Sequence, residues 1–419
     1  MKQEQAVSRL DPITAKKENP FADRNFLYLF IGALFSSPGY YVYLIGSEWL
    51  MLSITGNRFY FGMLFVAASI PRLIFMMYGG AAADRLNKRT ILFISDLSRA
   101  FLVSVLLVLV WLDAAAAWHL IVLSVFFGIS DAFSHPSMNS LVAEILPKES
   151  LQRGNGTLQM TQQLSPIIGP AAGGTLIVTI GFKGIFTVAA VILVIAAWTV
   201  ARIKLVQEEG TPESKKGIFH DIKLGFNYVK QNNLLLSVMS MAFLLNFFIT
   251  GPLSMGIPLL VKDVYQENAL GLTAMEMAFG IGALGGALLM TVMKSVKRPG
   301  LLVLYALLVQ TALFTLLGVV PSLLFAVPLL FVIGILMQVV NIPILTVVQS
   351  KTDPRMLGRV MSLLMTVATG LVPVSYLVTS LIIGAGAGIG SIIFFAGLAV
   401  CIVSILSFSL KELRIFTYD

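Results

Sequence analysis

Twelve apolar windows, separated by charged or Gly/Pro breaks, leave this 419-residue chain one class of fold. They run over 26–54, 59–80, 90–112, 118–143, 156–180, 183–203, 233–261, 271–293, 300–320, 322–349, 356–381 and 387–410. A membrane helix needs about 20 mostly apolar residues, and every window reaches that length. Barrel strands would alternate polar and apolar over about ten residues, which these do not. Only 12% of residues are charged, against about 25% in a soluble domain, so polar surface is too scarce for water. An all-α integral membrane protein with twelve transmembrane helices is expected. Twelve spans with short loops leave no room for a catalytic domain of roughly 100 residues. The single cysteine, Cys401, lies in an apolar run, excluding a disulfide framework and a Cys-based metal site. The first 25 residues lack the apolar core of a signal peptide, so the first span is expected to be retained.

Basic residues orient the chain. With the N-terminus inside, 24 of the 29 Lys and Arg fall in cytoplasmic segments. The opposite side keeps Arg58, Lys183 and Lys262, while Arg72 and Arg99 sit within spans. This is a positive-inside pattern placing both termini in the cytoplasm of a multi-pass cell-membrane protein. The net charge of +8 therefore records topology and contact with anionic membrane lipids, not nucleic-acid binding.

The longest internal loop, 204–232, divides the chain into an N-terminal tail (1–25), a six-helix half (26–203), this linker, a second six-helix half (233–410) and a tail (411–419). The halves repeat. Gly79-Gly80 recurs as Gly285-Gly286, and Pro136 and Pro147 recur as Pro343 and Pro354 at nearly the same offset. Two pseudo-symmetric halves with a site between them are a common plan of secondary transporters.

The loop after the second window reads Gly80-Ala81-Ala82-Ala83-Asp84-Arg85-Leu86-Asn87-Lys88-Arg89. It resembles the signature loop of the major facilitator superfamily, and the resemblance covers about Phe26 to Leu410. Asn87 stands where the family has glycine, a mild departure because asparagine also tolerates a left-handed turn. The family then implies an inner gate built from Gly80, Asp84, Arg85, Lys88 and Arg89. The fifth span runs Gly156, then Ser165, then Gly169-Pro170-Ala171-Ala172-Gly173-Gly174. This is similar to the antiporter motif of drug–proton exporters, with serine for one glycine. Small residues let membrane helices approach closely, and Pro170 removes a backbone donor. Further stretches look most like the branch holding macrolide and siderophore exporters.

Ionisable residues inside spans are costly and mark chemistry. In the fourth span Ser124, Gly128, Asp131, His135 and Asn139 form one small or polar stripe, opposite Phe126, Phe127, Ile129 and Phe133. Asp131 and His135, four residues apart, form a candidate proton-coupling pair; a static hydrogen-bonded pair is the plainer alternative. In the first span Gly32, Ser36, Tyr40, Tyr43 and Ser47 make a polar face. Glu48 is a second proton-coupling candidate, although its angle to that face equally suits an outer brace. Asp96 and Arg99, close to the signature loop, are expected as an inner-gate ion pair. Arg72 needs a carboxylate partner that the sequence leaves open. Asp131's repeat counterpart is Gln338, which does not titrate. Substrate contact is therefore expected from Tyr40, Tyr43, Asn246, Gln338 and Asn341.

These features predict a proton-coupled antiporter exporting amphipathic small molecules such as drugs, its partners being substrate, protons and lipids. It is expected to act as a monomer without metal or cofactor. A siderophore or metabolite exporter, an uptake symporter and a lipid flippase remain alternatives on the same fold. No Ser/His/Asp set, metal cluster or phosphate-binding loop appears in the sequence, and His119, His135 and His220 lie far apart, which argues against an enzyme.

Overall fold

The computed structural model describes residues 19–204, 218–293, 298–353, 356–409 and 414. The described residues are helical almost throughout, with no strand among them. The helices are α1 (Arg24–Ile54), α2 (Arg58–Arg85), α3 (Lys88–Trp111), α4 (Ala117–Ile145), α5 (Lys148–Ala201), α6 (Ile218–Lys230), α7 (Asn233–Leu259), α8 (Ala269–Val292), α9 (Pro299–Leu317), α10 (Leu323–Lys351), α11 (Leu357–Gly370), α12 (Val372–Gly384) and α13 (Ile389–Ser407). Eleven helical stretches among the described residues are long and apolar enough to cross a membrane. One of them, Ser150–Ala201, is 52 residues long, roughly twice what a bilayer requires.

Two departures from the expected windows have local causes. The fifth and sixth windows are continuous with α5, which begins directly after Pro147 rather than at 156. Only Gly181 interrupts it, at φ 67° and ψ −171°. That backbone region is nearly closed to residues with a Cβ, so glycine divides α5 into two crossings without a loop. The eleventh window is split at Leu371, because Pro373 lies at the start of α12 and has no N–H for the preceding turn. Other prolines, including Pro38, Pro71, Pro136 and Pro343, lie inside helices, as membrane helices tolerate when neighbours re-satisfy the freed carbonyls.

The chain forms two compact units. Among the described residues, the first comprises 19–46, 70–169 and 180–204. Its core joins Phe26, Leu29, Leu92, Leu141, Leu146, Leu158, Val200 and Ile203. A glycine every seventh residue sets one helix pair. A Cβ on Gly32 would come 3.1 Å from Thr199 Oγ1, one on Gly39 2.9 Å from Ile192, and one on Gly46 3.0 Å from Phe186. Partners that step backwards as the glycines step forwards mean that residues 182–201 run antiparallel to α1. Close backbone approach of this kind is how membrane helices gain contact where burial in lipid offers no hydrophobic gain.

The inner-gate residues that are described act as ties within this unit. Lys88 pairs with Glu144 at 2.8 Å, fastening the start of α3 to the end of α4. Arg89 donates to the carbonyl of Ala201 at the end of α5. Beside it, Asn25 Nδ2 donates to Lys204 O and Asn25 Oδ1 accepts from Lys204 N, at 3.0 and 2.9 Å. The side chains of Gly80, Asp84 and Arg85 lie outside the described residues.

The second unit comprises residues 47–69, 170–179 and the described residues from 218 onward. Its tightest pair is α8 on α10: Gly282 meets the carbonyl of Phe331, and Gly286 that of Ile335. The 47–69 hairpin joins this unit through polar contacts. Arg58 Nε pairs with Asp263 Oδ2 at 2.9 Å, Lys262 donates to the carbonyl of Leu52, and Ser380 donates to the carbonyl of Phe59 at 3.2 Å.

Candidate functional site

Four charged side chains from three helices of the first unit converge near the middle of those helices. Asp131 of α4 stands at the centre. Its Oδ2 pairs with Arg72 Nε of α2 at 2.9 Å, and its Oδ1 with Arg99 Nη2 of α3 at 2.6 Å. Arg99 Nη1 also reaches Asp96 Oδ1, at the longer distance of 3.4 Å. Asp96 in turn accepts from Ser36 Oγ of α1 at 2.8 Å. Formal charge sums to zero over two acids and two arginines, which makes their burial tolerable only as a set. Asp96 and Arg99 are 1% and 4% exposed, whereas the Arg72 side chain is about half-exposed. Arg99 Nε is buried with no acceptor among the described residues, so even within the set this guanidinium is not fully satisfied.

An aromatic wall adjoins the cluster. Tyr43 and Phe127 stack with centroids 4.3 Å apart and planes 4° from parallel. Tyr40 packs on the same Phe127 at 5.7 Å. The Arg99 guanidinium lies over that ring at 5.9 Å, a cation–π contact supplementing its ion pairs. Phe127 is 3% exposed and so is turned inward. The sequence had set it on the packing face of α4. The inward placement was readable, since Phe127 lies four residues from Asp131, which puts both on one side of a helix.

The geometry also redistributes the acidic candidates. Asp131 is bracketed by two guanidiniums, an arrangement that the stripe on α4 does not reveal. Asp96 and Arg99, expected near the signature loop, join the mid-helix cluster with Ser36. The side chain of His135 lies outside the described residues. Glu48 belongs to the second unit; it is 4% exposed and makes no ion pair among the described residues. It lies within electrostatic range of Glu276. Asn246, Gln338 and Asn341 also belong to the second unit, where Asn246 Nδ2 donates to the carbonyl of Ala242 at 2.9 Å.

The antiporter-like motif is a contact surface. In the first unit Gly169 lies directly against Tyr41, with no room for a side chain. In the second unit Thr273 Oγ1 donates to Pro170 O at 2.9 Å, and a Cβ on Gly174 would come 2.6 Å from Ala269 O. Ser165 donates to its own helix at Thr161 O, and a Cβ on Gly156 would meet open space. Tyr41 and Thr273 were not singled out from the sequence, because the partner of a small residue has no signal of its own.

Comparison with known proteins agrees with this architecture. Macrolide efflux protein A of Streptococcus pyogenes is 24% identical over 366 residues, covering 86% of this chain and 89% of that protein. Multidrug efflux pump Tap of Mycolicibacterium fortuitum is 24% identical over 398 residues, covering 93% and 96%. Among solved structures, a mutant form of the nucleoside transporter NupG superposes with a TM-score of 0.71 at 11% identity, covering 93% of this chain and 99% of that one. A bacterial homologue of the human lysosomal transporter Spinster gives 0.62 at 14% identity, covering 92% and 94%. The family model of the Major Facilitator Superfamily matches residues 29–375. This chain, an all-α multi-pass membrane transporter of two six-helix halves, belongs to the Major Facilitator Superfamily.

Proposed function

We propose that this transporter is a proton-coupled antiporter that exports amphipathic small molecules, drugs among them, by alternating access across the cell membrane. Both termini face the cytoplasm in this reading, and a single chain suffices for transport. The observation that carries it is the mid-helix charge cluster Arg72–Asp131–Arg99–Asp96, of which Asp96 and Arg99 are buried. Membrane-embedded charge is retained where it moves ions or substrate, and a neutral set of four offers acids whose pairing changes when one proton binds. The substrate class rests on the relatives, a macrolide efflux protein and a multidrug efflux pump.

The other parts follow from their contacts. Tyr40 and Tyr43, beside the cluster, present aromatic surface of the first unit to an amphipathic substrate; Asn246, Gln338 and Asn341 are the second unit's own candidates for substrate contact. Lys88 and Arg89, tied to α4 and α5, serve with Gly80, Asp84 and Arg85 in closing the inner side, while Asp96 and Arg99 belong to the mid-helix cluster. Gly169, Pro170, Gly173 and Gly174 permit the close packing on which the conformational exchange turns. His135, one turn from Asp131, tunes the cluster, and Glu48 is the second proton carrier.

The test is accumulation of a radiolabelled macrolide in cells expressing the protein. Lower accumulation than in control cells, reversed by a protonophore, is expected. Accumulation above the control would indicate an uptake symporter and overturn the export reading.

A further inference from the structure

We propose that Asp96, and not Asp131, is the carboxylate that takes up and returns the coupling proton, with Arg99 exchanging partners as it does so. The proposal deepens the exporter reading and rests on it.

The two acids are unequally held. Each oxygen of Asp131 has a close cation, Arg72 Nε at 2.9 Å and Arg99 Nη2 at 2.6 Å. A proton on Asp131 would remove the charge that compensates both, leaving Arg99, with a side chain 5% exposed, to depend on two 3.4 Å contacts, to the Asp96 carboxylate and to the uncharged Ser36 hydroxyl. Removing one partner of a buried pair is the expensive case. Asp96 has only its 3.4 Å contact with Arg99 and the Ser36 hydroxyl at 2.8 Å. A protonated carboxyl keeps an acceptor oxygen and gains a donor, and a hydroxyl serves either role, so the Ser36 contact survives protonation. Arg99 meanwhile stays paired with Asp131. The groups facing Asp96 are Ser36 from α1, Arg99 from its own helix, Asp131 from α4 and, behind it, Arg72 from α2. Two carboxylates thus share the one charge of Arg99.

The step is a protonation alone. An O–H bond forms at Asp96 as one O–H bond of a hydronium ion breaks and leaves water, release returns the proton to water as hydronium, and no other covalent bond changes. With Asp96 neutral, Arg99 commits to Asp131. With Asp96 ionised, it is drawn back along α3. Since α3 and α4 pack on one another, this exchange shifts the balance of contact between them. Arg99 Nε, buried with no acceptor among the described residues, marks a guanidinium not locked by a full set of bonds.

The experiment is an infrared pH titration of the purified full-length protein in lipid nanodiscs, following the C=O band of protonated carboxylic acids. As pH rises the parent should lose a component of this band that is separate from any contributed by Glu48, and Asp96→Asn should lack that component entirely. Asp96→Glu should retain it at a displaced frequency, which separates a proton site from a folding defect. Asp131→Asn should keep it. Persistence of the component in Asp96→Asn, or its loss only in Asp131→Asn, would overturn the assignment. Failure of the exporter reading looks different: the parent would titrate as described yet move no macrolide in liposomes.

Discussion

Replacing Arg99 by methionine keeps most of the aliphatic stem and deletes the charge that two acids share. Its loss leaves Asp96, 1% exposed, without a cation among the described residues. Asp131 keeps Arg72, but that side chain is half-exposed, so its pair is screened and worth less. Breaking a buried pair from one side costs about 3–5 kcal/mol. Because Asp131 is not orphaned, the lower end applies, about 3 kcal/mol, or roughly a hundredfold in the unfolding equilibrium. The cation–π contact over Phe127 adds about 0.5–1 kcal/mol. Equilibrium unfolding in mixed micelles with increasing denaturing detergent measures the loss. The structure makes a second demand: Arg99→Met combined with Asp96→Asn should recover on the order of 1 kcal/mol or more, because the orphaned charge has gone. A single variant within about 1 kcal/mol of the parent, or a strictly additive double variant, would refute the shared-charge account.

Four further outcomes follow from other parts of the molecule. Gly39→Leu should destabilise by about 1–3 kcal/mol in the same assay, because its first added atom already lies 2.9 Å from Ile192. Gly181→Ala should cost about 1–3 kcal/mol, since alanine rarely adopts its backbone angles; thermal unfolding of the purified protein reads this. Gly169→Leu, driven against Tyr41, should reduce macrolide flux while equilibrium binding largely survives, and equal loss of both would assign Gly169 to the binding site. Cysteine labels at both termini and near Pro212 should react only from the cytoplasmic side and one at Asn57 only from outside, by accessibility to an impermeant reagent.

The helices were legible because the bilayer sets a length that any spanning stretch must meet, whatever its partners. Caps mark some starts: Asn232 accepts from two amides at the head of α7, whereas Asn87, expected to take glycine's place in a left-handed turn, is instead extended at φ −64° and ψ 111° and caps α3 by accepting from Thr90 N. The reversal at Gly181 was harder, since one glycine takes the place of a loop. Pairing between helices was not legible. Arg99 and Asp131 are 32 residues apart on different helices, and helical periodicity assigns faces without saying which face meets which. For the same reason Ser36 was visible as part of a polar face, but not as the donor to Asp96. The glycines at 32, 39 and 46 carried a readable spacing, yet their partners at 199, 192 and 186 emerge only when the two helices are laid side by side.

The coupling claim is tested most directly by proton movement itself. Proteoliposomes holding a pH-sensitive dye, with no imposed pH gradient, receive a macrolide concentration gradient across the membrane. Antiport predicts a proton flux opposite to the macrolide flux, abolished in Asp96→Asn while downhill macrolide movement persists. Macrolide movement by the parent with no change in dye signal would contradict the account.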